Sequence, residues 1–183
     1  MKTTSKKPGN GKSVVATDSS LYDFFIYQLH DIYWAEKHLA KTLPKIQKAA
    51  NADELQQIFR DHLTETENQI SRLEEIFGLL GVKAQAKKCE AMEGLIREYE
   101  SIVEQTEEGT STRDAALIIA AQKIEHYEIA TYGGLAQLAT TLGQEKICSL
   151  LAETLQEEKD ADILLTDIAE KKVNWMAETE ERV

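Results

Sequence analysis

From Ser20 onward the apolar residues recur at alternating spacings of three and four: Phe25, Leu29, Ile32, then Leu39, Leu43 and Ile46. That period keeps one stripe of an α-helix against an apolar core, and a strand, whose side chains alternate in twos, cannot use it. The spacing predicts a first long helix beginning at Ser20, where Asp23 completes an N-cap signal, and continuing through Pro44 with a kink. Asn51 with Glu54 reads as a capping box, so a turn at 50 to 52 leads into a second helix. Its apolar residues, Leu55, Ile58, Phe59, Ile70, Leu73, Ile76 and Leu80, run to a stop at Gly81. Nine glycines and two prolines in 183 residues leave few tight turns, which argues against a turn-rich sheet or sandwich.

After Gly81 the pattern lapses through Lys83, Lys87 and Lys88, resumes as a short helix around Glu90 to Glu107, and lapses again at Gly109 to Ser111. A third long helix starts near Thr112 and runs past Leu142, where Gly143 breaks it before a fourth that carries Ile147, Leu151, Leu155, Leu165 and Ile168. Two antiparallel hairpins joined by a long crossover with a short helix describe an all-α, ferritin-like four-helix bundle, because an up-and-down bundle needs only short loops. The bundle is expected over 20–177, between a disordered basic tail at 1–19 and an acidic end at 178–183.

The net charge of -11 is uneven: Lys2, Lys6, Lys7 and Lys12 face only Asp18 in the first twenty residues, so the body is strongly acidic. An acidic body is a poor nucleic-acid binder, and the tail reads as a solvated extension or at most a weak nucleic-acid contact. The longest apolar run, Ala115 to Ala121, is far short of the roughly 20 residues that cross a bilayer, and the N-terminus has no apolar signal stretch. Cys89 and Cys148 form no CxxC pair or disulfide framework, which fits a reducing compartment. The expected location is the cytoplasm, away from membranes.

Acids interrupt the apolar stripes. Glu36 stands between Ile32 and Leu39; Glu65 follows His62 and precedes Gln69 by one turn; Glu125 and Glu128 lie between Ala121 and Leu135; Glu158 and Asp162 fall between Leu155 and Leu165. In an antiparallel hairpin, residues equidistant from the turn are level. Glu36 with Glu65 centres on the Asn51 turn, and Glu128 with Glu158 and Glu125 with Asp162 centre on Gly143. Level carboxylates inside a bundle need neutralising by protons, basic side chains or cations, and no Lys or Arg occupies the stripes. Two Fe or Mn ions per chain are the economical solution, held by Glu36, Glu65, Gln69, Glu125, Glu128, Glu158 and Asp162. Di-metal bundles usually supply Glu-x-x-His on two helices, whereas Asn68 and Ala161 stand at those positions here, moving the second ligand to Gln69 and Asp162. Such an oxygen-rich set suits Mn as well as Fe.

His62 and His126 read either as ligands or supports of a carboxylate, or as ordinary packing and surface residues. Tyr33, Tyr127 and Tyr132 lie within a turn of the acids and read either as redox-active groups or as hydrogen-bonded core tyrosines. The runs Glu74-Glu75, Glu107-Glu108 and Glu178 to Glu181 read as solvated faces and ends.

The strings DIYWAEKHL, HLTETENQISRLEEIF, KKCEAMEGLIREYE, RDAALIIAAQKIEHYEIATYGGLAQLA and LAETLQEEKDADILLTDIA together resemble the YciF family of ferritin-like bacterial stress proteins, over residues 20 to 175. The resemblance implies a ferritin-like bundle, a homodimer, expression under stress and a di-metal site on the acids of AEKHL, TETENQ, KIEHYEIA and LQEEKDAD. The aromatics Phe24, Tyr27, Trp34 and Trp175, more than one core needs, also favour a homodimer. Two functions remain open: a di-metal centre reacting with dioxygen or peroxide, or a non-catalytic dimeric stress protein with a structural or vestigial metal site. Cage-forming storage is a weaker third.

Overall fold

A computed structural model describes residues 19–181. Its elements are α1 (Ser20–Ala49), α2 (Asp53–Leu80), α3 (Glu90–Gln105), α4 (Ser111–Thr141) and α5 (Glu145–Ile168), then a π-helical turn (Ala169–Val173) and α6 (Asn174–Glu178). No strand occurs among the described residues. The basic tail lies outside them except for Ser19, which accepts the Tyr22 N–H at 3.1 Å and so takes the N-cap role expected of Ser20. The helix passes through Pro44, as the spacing required.

The four long helices form a square bundle, with α1 packed on α2 and α4, and α5 on α2 and α4. The short α3 lies over α4 and α1. Gly81 and Gly143 adopt φ of 66° and 69°, the left-handed conformation that ends a helix at little cost only for glycine. Each is followed by a closing bond: Val82 N–H to Phe77 O at 3.0 Å and Gln144 N–H to Ala139 O at 2.9 Å.

The turn between α1 and α2 is held differently from the expected Asn51-Glu54 box. Ala52 is the N-cap and gives no side-chain bond. Asp114, from the first turn of α4, accepts the backbone N–H groups of Asn51 at 2.7 Å and Ala52 at 2.8 Å. α4 therefore starts beside this turn, the crossover travels the length of the bundle, and α2 and α4 run parallel. At the same end Glu180 accepts the Ser111 and Thr112 N–H groups at 2.8 and 3.0 Å, so the acidic C-terminal end caps α4 besides meeting solvent.

Phe25, Leu29 and Leu39 of α1, Leu55, Phe59 and Leu73 of α2, Leu117 and Leu135 of α4, and Leu151 and Leu165 of α5 fill the core. Burying each such side chain contributes about 1.5–3 kcal/mol against chain entropy. Phe24, Tyr27 and Trp175 are exposed, whereas Trp34 is partly buried and stacks on His38. No helix among the described residues is long and apolar enough to cross a membrane.

Candidate metal centre

Midway along the bundle the inward stripes change from aliphatic to polar at one level. On α1 the buried series Leu29, Ile32, Leu39 takes Glu36; on α2 Phe59 and Leu73 bracket His62, Thr66 and Gln69. α4 supplies Glu125 and Glu128 after Ile124, and α5 supplies Glu158 between Leu151 and Leu165. None of Glu36, His62, Gln69, Glu125, Glu128 and Glu158 is more than 5% exposed. One ligand atom from each of His62, Glu125, Glu128 and Glu158 lies within 4.8 Å of the others, so this group could hold a metal ion.

Hydrogen bonds orient part of the set. The buried Tyr132 hydroxyl donates to Glu36 Oε1. The Gln69 amide donates to Glu158 Oε1 and, at 3.2 Å, to Glu157 Oε2, while Arg72 grips both oxygens of Glu157 at 2.8 Å. Because its nitrogen faces two carboxylates, the Gln69 amide oxygen is turned away from them. His62 Nε2 stands 3.5 Å from Glu125 Oε1 without a hydrogen bond. What remains unpartnered is Glu36 Oε2, both His62 nitrogens, Gln69 Oε1, Glu125 Oε2, Glu158 Oε2 and both oxygens of Glu128. Each buried unpaired polar atom costs about 1–3 kcal/mol, and a cation at this level could satisfy several of them together. The donor set fits a divalent transition metal, with oxygen predominant and one imidazole.

Electrostatics without a metal show the same crowding. Burial, then the Glu158 charge, pushes Glu36 up to about 8. Burial likewise raises Glu125, Glu128 and Glu158 above the usual carboxylate range. Burial pulls His62 down, but Glu125 and its neighbouring carboxylates outweigh it and hold the imidazole up at about 10. A site that so disfavours carboxylate charge attracts protons or cations.

Of the residues the spacing singled out, the structure brings Glu36, Gln69, Glu125, Glu128 and Glu158 together. Glu65 and Asp162 stand apart. The Glu65 side chain is 46% exposed and meets the cluster only through His62 Nδ1 at 3.9 Å. Asp162 lies half-buried in the α4–α5 groove, 3.3 Å from the exposed His126 and 3.1 Å from Gln122. Both have the right height and the wrong face. At 100° per residue Glu65 points roughly 80° from the centre of the α2 core stripe. His62, offered only as one of two readings, is the inward group. Its signal was the unbroken series Leu55, Phe59, His62, Thr66, Gln69, Leu73, Ile76, all buried. Tyr132 touches the cluster through Glu36, whereas Tyr33 bonds Glu74 and Tyr127 contacts Cys89 at 3.1 Å, both away from it.

Residues 20–178 match the model of a domain of unknown function, DUF892. The chain belongs to this family. It is 49% identical over 160 residues to Protein YciF of Escherichia coli strain K12, covering 87% of this chain and 96% of that one. The crystal structure of the E. coli stress protein YciF superposes with a TM-score of 0.81 over 85% of this chain and 98% of that one. A Rhodopseudomonas palustris protein, described as YcfI, a putative structural protein, has 36% identity and a TM-score of 0.79, covering 85% of this chain and 97% of its own. A Xanthomonas campestris protein at 19% identity shares the fold, with a TM-score of 0.68 over 87% of this chain and 97% of that one. The YciF resemblance read from the sequence strings thus holds across nearly the whole chain.

Proposed function

We propose that this chain is a stress-related, ferritin-like protein whose bundle holds a carboxylate-bridged pair of Fe or Mn ions that react with dioxygen or peroxide. The unpartnered buried donors on all four long helices carry this reading. Glu128, with both oxygens free, Glu36, Glu125 and Glu158, each with one free oxygen, and His62 would hold the metals. When bound, the metal pair would supply one-electron redox chemistry toward dioxygen or peroxide. The protein contributes fixed donor positions: Tyr132 holds one oxygen of Glu36, and Gln69, anchored through Glu157 by Arg72, holds one oxygen of Glu158. The up-down-down-up connectivity supports the ferritin-like assignment. Exposed Phe24, Tyr27 and Trp175 support a homodimer, which light scattering tests against the 20.6 kDa monomer. The free thiols Cys89 and Cys148 suit the cytoplasm.

The test is anaerobic Fe(II) loading followed by a pulse of dioxygen or hydrogen peroxide. Oxidation faster than that of free Fe(II), lost in Glu128→Ala, is expected. A second reading, a structural or vestigial site, draws on the His62 charge, which partly neutralises the carboxylates from within. It expects bound metal with no acceleration.

A further inference from the structure

A buried cluster has to be reached from solvent, and none of its donors is more than 5% exposed. Of the partly exposed acids beside it, two are already tied. Glu157 has both oxygens held by Arg72, whose positive charge repels a cation. Asp162, in the α4–α5 groove, is engaged by Gln122 and His126. Glu65 is different: its side chain is 46% exposed, and its Oε2 stands 3.9 Å from His62 Nδ1, too far for a hydrogen bond. The imidazole is buried, neither of its nitrogens has a hydrogen-bond partner, and Nε2 faces Glu125 at 3.5 Å. Solvent, Glu65, His62 and the cluster therefore stand in line.

The α2–α5 seam gives this line room. Arg72, two turns after Glu65 and about 20° from it around α2, reaches Glu153, Thr154 and Glu157 of α5, so Glu65 looks onto the same seam. Gln69 bonds Glu157 and Glu158 across it, and one turn farther from that bond on the two antiparallel helices stand Glu65 and Ala161. Ala161 sets only a methyl group opposite the carboxylate. Metal bonds of about 2.0–2.2 Å to nitrogen and carboxylate oxygen, as for zinc, let one divalent ion touch both Glu65 Oε2 and His62 Nδ1 across the gap. We propose that Glu65 and the outer nitrogen of His62 form a transit site for divalent transition-metal cations, the port through which the cluster is loaded and emptied. This port rests on the metal-centre reading, since a cluster that held no ion would need none.

Stopped-flow mixing of metal-free protein with Co(II), a spectroscopic stand-in for Fe(II) and Mn(II), gives the association rate from its visible absorption, and a chelator chase gives the dissociation rate. A transit site lowers the barrier in both directions, so Glu65→Gln should slow association and dissociation severalfold each, with affinity changed less than either rate. Glu65→Asp, which keeps the charge, should restore most of both. Asp162→Asn in the α4–α5 groove and Glu67→Gln on the open surface of α2 remove the same charge elsewhere and should leave both rates near native. Faster dissociation in Glu65→Gln would make Glu65 an equilibrium ligand, and equal slowing by Asp162→Asn or Glu67→Gln would make the effect one of general charge; either overturns the inference. Native protein that takes up no Co(II) removes the metal centre and the port together, whereas native uptake at rates indifferent to Glu65→Gln removes the port alone.

Discussion

Two unpaired oxygens on one buried side chain, as on Glu128, are a liability in any core, and in this one they sit among five other polar groups. Which residues join them is decided by angle as much as by height. His62→Ala should weaken Mn(II) binding by about 100-fold or more, because it removes an inward donor, whereas Glu65→Ala, touching the site only through His62, should cost about tenfold or less. Calorimetric titration of both variants measures this, and the reverse order would place Glu65 on the cluster. The sequence made the heights legible because a hairpin's midpoint fixes axial level, but it says nothing about azimuth. On α4 that did not matter: its buried face runs through Leu117, Ile118, Ala120, Ala121, Ile124, Glu125 and Glu128, wide enough to take in both acids. On α2 the stripe is narrower, and a neighbouring acid fell outside it.

Elements are tied together at their ends. Asp114 is 1% exposed and satisfies two N–H groups of the α1–α2 turn that no local side chain reaches. Asp114→Ala should lower unfolding free energy by about 1–2 kcal/mol, since two part-buried donors lose a charged acceptor, and urea denaturation should register it. An effect no larger than that of an exposed Glu→Ala, such as at Glu67, would assign the turn's stability elsewhere. This tie was hidden in the sequence because Asn51 and Glu54 offered a plausible local cap, while the acceptor used comes from 62 and 63 residues away. The helix stops at Gly81 and Gly143 were legible, since glycine's freedom at positive φ is a residue-level property. The π-helical turn at Ala169–Val173 was not, because nothing in AEKKV distinguishes it from an α-helix.

For the whole molecule, the cluster couples stability to pH. Burial, then Glu158, holds Glu36 up at about 8 in the fold, so between the ordinary glutamate value of 4.5 and about 8 the folded state binds more protons than the unfolded chain. Stability from this group is therefore complete at the acid end of that window and lost as pH rises through it. Glu125 and Glu128, raised in the same direction, reinforce the trend, and His62, held at about 10, extends it from about 6.5 upward. Metal-free protein should thus melt at a lower temperature at about pH 8 than at about pH 5.5, while stabilisation by added Mn(II) grows over the same interval because its ligands must be deprotonated. A flat metal-free profile would mean that the carboxylates are already neutralised by other means. Metal stoichiometry tests the central claim most directly. Protein stripped with chelator and titrated anaerobically with Fe(II) or Mn(II) should bind two ions per chain, and the Glu36→Ala/Glu158→Ala double variant none. Binding of no metal by the native chain, or unchanged binding by the double variant, would contradict a metal centre built from these carboxylates.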